Sequence, residues 1–151
     1  MNKQIKIEIA DHVFLADLLE DAAPETCKAV WDMLPCQDEI LHVKWSGNAF
    51  YFFSPLDLAK AECSRVYGVN PGDIVYNPHV HDAAEHPHEI TLIYAEAAMY
   101  TVSGTAISNL FARIRPEYLP ALYDVGIGCW KHGAIPIKLS RVEAPDAKEA
   151  L

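Results

Sequence analysis

The chain has few basic residues, and this scarcity argues against one large class of partners. It carries 12 Lys and Arg against 21 Asp and Glu, which gives a formal net charge of −9. Proteins that bind nucleic acids neutralise phosphates with clustered Lys and Arg, and no such cluster occurs along this sequence. We therefore expect no nucleic-acid partner, while the acidity itself carries no information about the fold.

Long apolar runs and paired cysteines are also missing. No stretch approaches the roughly 20 apolar residues of a membrane span, and residues 1–6 contain no signal-peptide core, so we expect a cytoplasmic protein with no membrane partner. The 4 cysteines lack C-x-x-C spacing, which favours free thiols. Cys27 is expected in the core. Cys129, beside Lys131 and His132, is a candidate nucleophile because basic neighbours lower a thiol pKa.

Many short strands are the main pattern in this chain, which has 151 residues and is 51% hydrophobic. Its size predicts a single domain over residues 1–142, followed by a polar tail over 143–151. The alternation of Ile5, Ile7 and Ile9 with charged residues is typical of a strand. The predicted strands cover residues 5–9, 12–19, 40–45, 49–53, 72–77, 89–94, 98–102, 107–114 and 134–142, and the predicted helices 24–34, 55–66 and 117–125. Because most strands follow one another without a helix between them, we expect a mainly β, antiparallel barrel with two to three short helices capping it.

The run over residues 79–88 contains four of the seven histidines. Residues two apart in an extended chain point to the same side, so the first two histidines form one pair and the last two a second pair. If residues 72–77 and 89–94 form a hairpin, its two arms carry these pairs, and three imidazoles, or two with a carboxylate, would bind a divalent metal such as zinc at about 2.0–2.2 Å. The metal-ligand candidates are His79, His81, His86 and His88, with Glu85 as the nearby carboxylate. The alternative is a solvated polar loop.

Aromatic and basic residues near strand ends are candidates for a ligand pocket. Trp45 and Tyr51, on either side of a tight turn, would form a stacking wall for a small planar ligand, or would cover the core. Tyr94, Glu96 and Tyr100 flank another turn and would line a barrel mouth, although tyrosines at strand ends also pack in ordinary ways. Arg113 would anchor a carboxylate or an amide, with a solvated strand face as the alternative. The predicted pocket consists of Trp45, Tyr51, Tyr94 and Arg113.

Several segments, in order along the chain, resemble one protein family. They are residues 18–35, HVKWSGNAFY at 42–51, PGDIVYNP at 71–78, ISNLFARI at 107–114 and CWKHGA at 129–134. This pattern resembles the small bacterial cyclophilin-like proteins of unknown function of the DUF3830 type. The resemblance implies a closed cyclophilin-like β-barrel and implies no activity.

Two comparisons limit what that resemblance implies. Prolyl isomerases of the cyclophilin fold carry an Arg on a Phe-His-Arg strand and a Phe-x-x-Gln stretch, whereas this chain has Leu-His-Val-Lys at residues 41–44 and no such glutamine stretch. We therefore expect no prolyl isomerase activity. A second fold resemblance is to cupins, whose first metal motif is similar to the spacing of Gly72, His79, His81 and Glu85. The second cupin motif is not found.

The histidine run favours a small-molecule enzyme of hydrolase or isomerase type that acts on a polar, amide-like metabolite. In this hypothesis His79 and His81 are metal ligands or general bases, Glu85 is a ligand or proton carrier, and Arg113 anchors the substrate. A bound zinc ion would supply its water as the nucleophile.

Two other function classes stay open. In the first, the protein is a non-catalytic subunit that binds a small ligand or assists another enzyme, so that Trp45 and Tyr51 matter and the histidines do not. In the second, the chain is a building block of a homo-oligomer, which barrel edges and the aromatic strand over residues 50–53 favour.

Overall fold

The first strand shows how the alternation in the sequence builds the barrel wall. The computed structural model of the protein describes residues 2–58, 62, 64–78, 88–101 and 104–143. Ile5, Ile7 and Ile9 are fully buried, whereas Lys6 and Glu8 lie on the opposite, partly exposed face. The strand therefore turns its isoleucines toward the core, as their spacing predicts.

The described residues form eleven strands, two α-helices and one 3-10 turn. The strands are β1 (Gln4–Ile9), β2 (His12–Leu18), β3 (Cys36–His42), β4 (Gly47–Phe53), β5 (Arg65–Val66), β6 (Asp73–Asn77), β7 (Glu89–Ala97), β8 (Tyr100–Thr101), β9 (Gly104–Thr105), β10 (Ser108–Ile114) and β11 (Ile135–Arg141). The helices are α1 (Pro24–Met33) and α2 (Leu119–His132), and the 3-10 turn is Pro116–Tyr118.

Eight strands close into a barrel in which every neighbouring pair is antiparallel. The order around the barrel is β2-β1-β11-β3-β4-β7-β6-β10, and β10 returns to β2, with Arg113 opposite Asp17. Short β5 adds to β10 outside this ring, and β8 and β9 form a separate pair. Closure pairs the edges that an open sheet would expose. The predicted closed antiparallel barrel with helices is confirmed.

A carboxylate lies at the seam where β10 meets β2. Asp17 accepts a hydrogen bond from Gln4 Nε2 at 2.8 Å and hydrogen bonds from Arg115 at 3.3 and 3.4 Å. Burial acts to raise the pKa of Asp17, but the hydrogen bonds from Gln4 and Arg115 lower it below its usual value.

Large apolar side chains fill the barrel interior, and the helices add to this core. From α1, Cys27 and Val30 are buried, as the helical spacing predicts, and from α2, Leu122 and Val125 are buried. The largest fully buried side chains on the strands include Phe14, Phe50, Ile74, Tyr76, Ile90, Leu92 and Phe111.

The described cysteines are free thiols in packed surroundings. The thiol of Cys27 lies 3.2 Å from the carbonyl oxygen of Phe111, and burial, followed by the charge of Glu20, raises the pKa of Cys27 to about 12. Burial also raises the pKa of Cys129, which faces β3 from α2. The prediction that basic neighbours make Cys129 a nucleophile is therefore wrong, because its side chain points into the core.

The predicted helix over residues 55–66 is not present in the described part of that range. The Ser54 hydroxyl does accept the Leu56 N–H, at 3.1 Å, but residues 55–58 form no helical turn. Instead, the Leu58 N–H donates to the Tyr76 hydroxyl at 3.0 Å, and that hydroxyl donates to the Leu56 carbonyl at 2.8 Å. Hydrogen bonds to β6 thus replace the local bonds that a helix would make, and residues 65–66 pair with β10 as β5.

The second large helix is longer than its predicted end at residue 125. It continues through Gly126 and Gly128 to His132, and ends at Gly133, which has φ +94°. Glycine adopts this left-handed backbone without strain.

A second, smaller apolar layer lies on the outer face of the barrel. Ala49, Val75, Ile93 and Met99 form this cluster, and strand alternation places it opposite the inner residues of the same strands. The covering segment, residues 98–101 and 104–106, folds back over this face. Its Ala98 N–H donates to the Ser46 carbonyl at 2.9 Å. One part of the outer barrel face is therefore shielded from solvent.

Candidate functional site

An aromatic recess opens where the covering segment meets the turn before β4. Its cavity measures about 20 Å³. Strand register explains its floor: Tyr51 lies opposite Thr91, and Phe53 lies opposite Glu89, so Tyr51 and Glu89 share the outer face. The described residues that line the aromatic recess are Val43, Lys44, Trp45, Ser46, Tyr51, Glu89 and Tyr100.

Hydrogen bonds hold the two sides of the aromatic recess together. The indole Nε1–H of Trp45 donates to the Tyr100 carbonyl at 2.9 Å, and the Tyr100 N–H donates to the Ser46 hydroxyl at 3.2 Å. Trp45 is 39% exposed, whereas Tyr51 is 8% exposed. Trp45 thus forms the outer wall and Tyr51 belongs to the floor.

A buried polar network supports the carboxylate of Glu89. The Thr91 hydroxyl donates to Glu89 Oε1 at 3.0 Å, and Asn77 Nδ2 contacts the same oxygen at 3.3 Å and Thr91 Oγ1 at 2.8 Å. The Ser108 hydroxyl donates to Asn77 Oδ1. All four residues are buried. Such donors favour an ionised carboxylate and fix its orientation.

The carboxylate of Glu89 also influences the neighbouring phenol. Burial, followed by the negative charge of Glu89, raises the pKa of Tyr51 above its usual value. The Tyr51 hydroxyl is consequently protonated at neutral pH and can donate a hydrogen bond. The floor of the aromatic recess therefore combines one acceptor group with one donor group.

The structure places Tyr94 away from the aromatic recess. Its ring lies on the inner face of β7, under α2, where it packs against Gly126. The Tyr94 hydroxyl lies 2.7 Å from His42 Nε2, and His42 Nδ1 lies 2.9 Å from the Val43 carbonyl. Because that carbonyl only accepts, Nδ1 carries the proton and the tyrosine donates to Nε2. Burial raises the pKa of Tyr94.

Arg113 is also separate from the aromatic recess and is engaged within the chain. Its Nε donates to Asp73 Oδ1 at 2.9 Å, and the Arg113 side chain is half exposed. Asp73 is 1% exposed and also accepts the Asn70 N–H at 2.8 Å. This arginine therefore neutralises a buried carboxylate of its own chain, and its predicted role as a ligand anchor stays a prediction.

The predicted hairpin that flanks the histidine run is present, since β6 and β7 pair with Asn77 opposite Glu89. His79, His81, Glu85 and His86 lie outside the described residues. In the part of the chain that the structure describes, no group of three metal-ligating side chains occurs, and the metal site stays a prediction.

His88 is the described histidine of the run, and it is buried. Its ring stacks on Tyr76, with centroids 6.1 Å apart, and its Nε2 lies 3.6 Å from Asp57 Oδ1. Strand alternation directs His88 to the face opposite Glu89. It therefore lies near the segment after β4 rather than in the aromatic recess.

A wider groove of about 370 Å³ lies between the end of α1 and the end of β4. Its lining is largely apolar and includes Met33, Phe52 and Phe53. Among the described residues of that lining, Asp38 is charged, and it is exposed on β3. The groove has more volume, but the aromatic recess has a buried ionisable group with fixed hydrogen bonds, the combination more typical of specific binding.

Sequence reasoning brought Trp45 and Tyr51 together but left Glu89 and Tyr100 out of the pocket. Glu89 and Thr91 alternate with apolar residues on β7, a pattern that normally indicates a solvated strand face. The available signal was this pair of polar residues opposite the aromatic strand β4. Both residues are nevertheless buried, and Tyr100 of the covering segment lines the aromatic recess together with Glu89.

Comparisons with known proteins agree with the fold. The family model described as "Protein of unknown function (DUF3830)" matches residues 5–141. The structure of McbB in complex with tryptophan is similar with a TM-score of 0.74 and 23% identity, over 93% of this chain and 46% of McbB, so this chain spans about half the length of McbB. The solution structure of the hypothetical protein AF2241 from Archaeoglobus fulgidus is similar with a TM-score of 0.61 and 18% identity, over 93% of this chain and 95% of AF2241.

Both structures have the cyclophilin-like fold. Because their sequence identities to this chain are low, the similarity extends to the fold alone. No curated protein matches the chain. No helix among the described residues is long and apolar enough to cross a membrane.

Proposed function

This chain belongs to the DUF3830 family of proteins of unknown function, and we propose that it binds a small organic molecule in the aromatic recess. The observation that carries the proposal is the buried carboxylate of Glu89, held by Thr91 and Asn77 beneath the rings of Trp45 and Tyr51. Small-molecule sites combine apolar and aromatic walls with a few fixed polar groups. The aromatic recess has this composition.

The similarity to McbB supports a binding role without defining it. The structure of McbB is that of its complex with tryptophan, so one protein that contains this fold accommodates a small aromatic molecule. The present chain spans 46% of McbB at 23% identity, and the activity of McbB is therefore not transferred to it.

An enzyme of hydrolase or isomerase type is the other proposal, with His79 and His81 as metal ligands or bases and Glu85 as proton carrier. The pairing of β6 with β7 favours it, because the metal-site hypothesis requires the strands on either side of the histidine run to form a hairpin. Prolyl isomerase activity is not proposed, because the arginine and glutamine of such sites have no counterparts in the sequence.

Ligand-observed NMR with a set of small aromatic amines, alcohols and carboxylates tests the binding proposal. We expect saturation transfer to at least one compound with the wild-type protein, and its loss in Trp45→Ala. Trp130→Ala is the matched control, since Trp130 is also exposed, at 64%, and lies on α2 away from the aromatic recess. If every bound compound keeps its signal in Trp45→Ala, or loses it equally in Trp130→Ala, the aromatic recess is not the binding site.

A further inference from the structure

We propose that the outer face of α2 is an interaction surface for a second copy of this chain, which docks through its own α2 in antiparallel orientation. The outer α2 face consists of Tyr123, Asp124, Ile127, Trp130 and Lys131. It is separate from the proposed ligand site, because none of these residues belongs to the described lining of the aromatic recess. The proposal therefore names both the partner and the two-fold arrangement of the pair.

Two large aromatic side chains are exposed on the outer α2 face. Trp130 is 64% exposed, the highest value among the large apolar side chains that the structure describes, and Tyr123 is 47% exposed. With the partly buried Ile127, they follow the spacing i, i+4, i+7 and form one stripe along the helix. The Tyr123 ring lies edge-on against Tyr94 at 5.8 Å. This contact orients Tyr123 before any partner binds and reduces the entropy that association would cost.

The charges of the outer α2 face are arranged so that two copies complement each other. Asp124 lies three residues before Ile127 and Lys131 lies four residues after it, which separates the two charges by about 10 Å along the helix axis. If two such helices pair antiparallel about a two-fold axis at Ile127, Asp124 of each copy lies level with Lys131 of the other. The same patch on both subunits then forms two pairs of opposite charge, as an isologous interface requires.

Both charges are well placed for such a contact. Asp124 and Lys131 are exposed, and the residues three and four positions from each of them along the chain are uncharged. Neither charge therefore has an ionic neighbour on its own helix face. The chain as a whole carries a net charge of −9, so anionic lipid surfaces would repel it. A face with one charge of each sign beside an aromatic stripe is instead complementary to its own copy.

The contact is small, so we expect a weak dimer. Standard specific interfaces bury about 1,600 Å² in total and weak ones less than about 1,200 Å², and one pair of helix faces over residues 123–131 belongs to the weak class. The net charge of −9 on each copy also opposes association. We expect a dissociation constant of the order of 100 µM at about 0.15 M salt. Sedimentation velocity from about 10 µM to about 1 mM protein measures it.

Charge-exchange variants identify the surface and its orientation. Asp124→Lys should weaken association about tenfold or more, because two lysines then face each other twice across the interface, and Lys131→Asp should do the same with two aspartates. The variant with both changes should return to within about threefold of the wild-type dissociation constant. Glu143→Lys is the matched control for Asp124→Lys, since it changes the net charge equally at an exposed position after β11, and it should leave association unchanged.

A second pair of variants tests the aromatic stripe. Trp130→Ala should weaken association about tenfold or more, because exposed tryptophans that become buried dominate many interfaces. Tyr67→Ala removes an aromatic side chain that is 58% exposed and lies outside α2, and it should have no effect. Thermal unfolding of each variant checks the fold, and if Trp130→Ala does not fold, the charge variants decide the proposal alone.

The possible outcomes are distinct. Wild-type protein that stays monomeric up to about 1 mM overturns the proposal. A dimer that Asp124→Lys and Lys131→Asp leave unchanged uses another surface, or a parallel pair in which each residue faces its own copy, and this result overturns the proposal as well. A variant with both exchanges that stays as weak as the single ones contradicts the antiparallel pairing. Recovery of association in that variant supports it.

Discussion

The glycine pair on α2 offers a sharp test of how this protein is packed. Gly126 is buried against Tyr94, and a Cβ atom at residue 126 would lie 2.2, 2.4 and 2.5 Å from three carbons of the Tyr94 ring. Carbon atoms normally approach to about 3.5–4.0 Å. Two residues along the same helix, a Cβ at Gly128 would meet nothing within 4 Å. The same substitution to alanine therefore has opposite consequences at the two positions.

The ring of Tyr94 cannot easily move aside. It stacks on Phe50 at a centroid distance of 6.1 Å and meets Tyr123 edge-on at 5.8 Å, and its hydroxyl is held by His42 at 2.7 Å. Overpacking of this kind costs about 1–3 kcal/mol, and we expect the upper part of that range. Replacing a helical glycine by alanine stabilises the helix by about 0.8–1 kcal/mol, which offsets part of this cost.

The packing cost and the helix preference together predict opposite changes in the free energy of unfolding at the two glycines. Gly126→Ala should lower the free energy of unfolding by about 1–2 kcal/mol, and Gly128→Ala should raise it by about 0.5–1 kcal/mol. The two variants should differ by about 1.5–3 kcal/mol, or about 3–12 °C in Tm for a chain of this size. Urea unfolding followed by circular dichroism measures the difference, provided that the m-value is unchanged.

A double-mutant cycle identifies the clash itself. In a Tyr94→Leu background the penalty of Gly126→Ala should shrink, with a coupling energy of about 1 kcal/mol or more between the two positions. Equal stability of the two alanine variants, or a coupling near zero, would refute the packing of the Tyr94 ring against α2.

Three further predictions concern titratable groups. Burial raises the pKa of Cys27 to about 12 and also raises the pKa of Cys129. Both thiols should therefore react slowly with 5,5′-dithiobis(2-nitrobenzoic acid) at pH 8 in the native protein and fast in urea. Fast reaction in the native protein would contradict their burial. The pKa of Asp17 is lower in the folded state than its usual 3.8, so the stability that its charge contributes is present above about pH 4 and is lost as the pH falls through the folded pKa. The Asp17→Asn variant should therefore lose less stability than the wild type between about pH 5 and pH 3. An equal loss in the two proteins would refute the stabilising role of the Asp17 charge. Elemental analysis of untagged protein should find about one divalent metal ion per chain if the histidine run binds metal, and it should be lost in the variant with His79→Ala and His81→Ala; low content that these changes leave unaltered would favour a solvated loop.

The strands could be predicted from the sequence because their signals are local. Isoleucines that alternate with charged residues over Ile5, Ile7 and Ile9 need no distant partner to show a strand, and the turn at Gly47 follows from short-range geometry. The error over the described part of residues 55–66 has a different origin. Ser54 does cap locally, but the phenol of Tyr76 takes the hydrogen bonds that a helix would use.

The candidate site was predictable only where its parts are close in sequence. Trp45 and Tyr51 lie on either side of one turn, so their proximity follows from the hairpin. The indole N–H of Trp45 donates to the backbone carbonyl of Tyr100 across 55 residues, and Glu89 and Tyr100, which line the same recess, are 11 residues apart. Long-range packing of this kind leaves no periodic trace in a single sequence.

The filled barrel explains why the candidate site lies outside it. An eight-stranded barrel has an interior just wide enough for its side chains or for one small ligand, and here Phe14, Phe50, Phe111 and Tyr76 occupy that space with no exposed surface. A binding function must therefore use an end or the outer face. Because the covering segment adds its layer outside the strands, the walls of the aromatic recess can be changed, as in Trp45→Ala, without opening a cavity in the main core, and loss of binding in that variant should leave the unfolding transition close to that of the wild type.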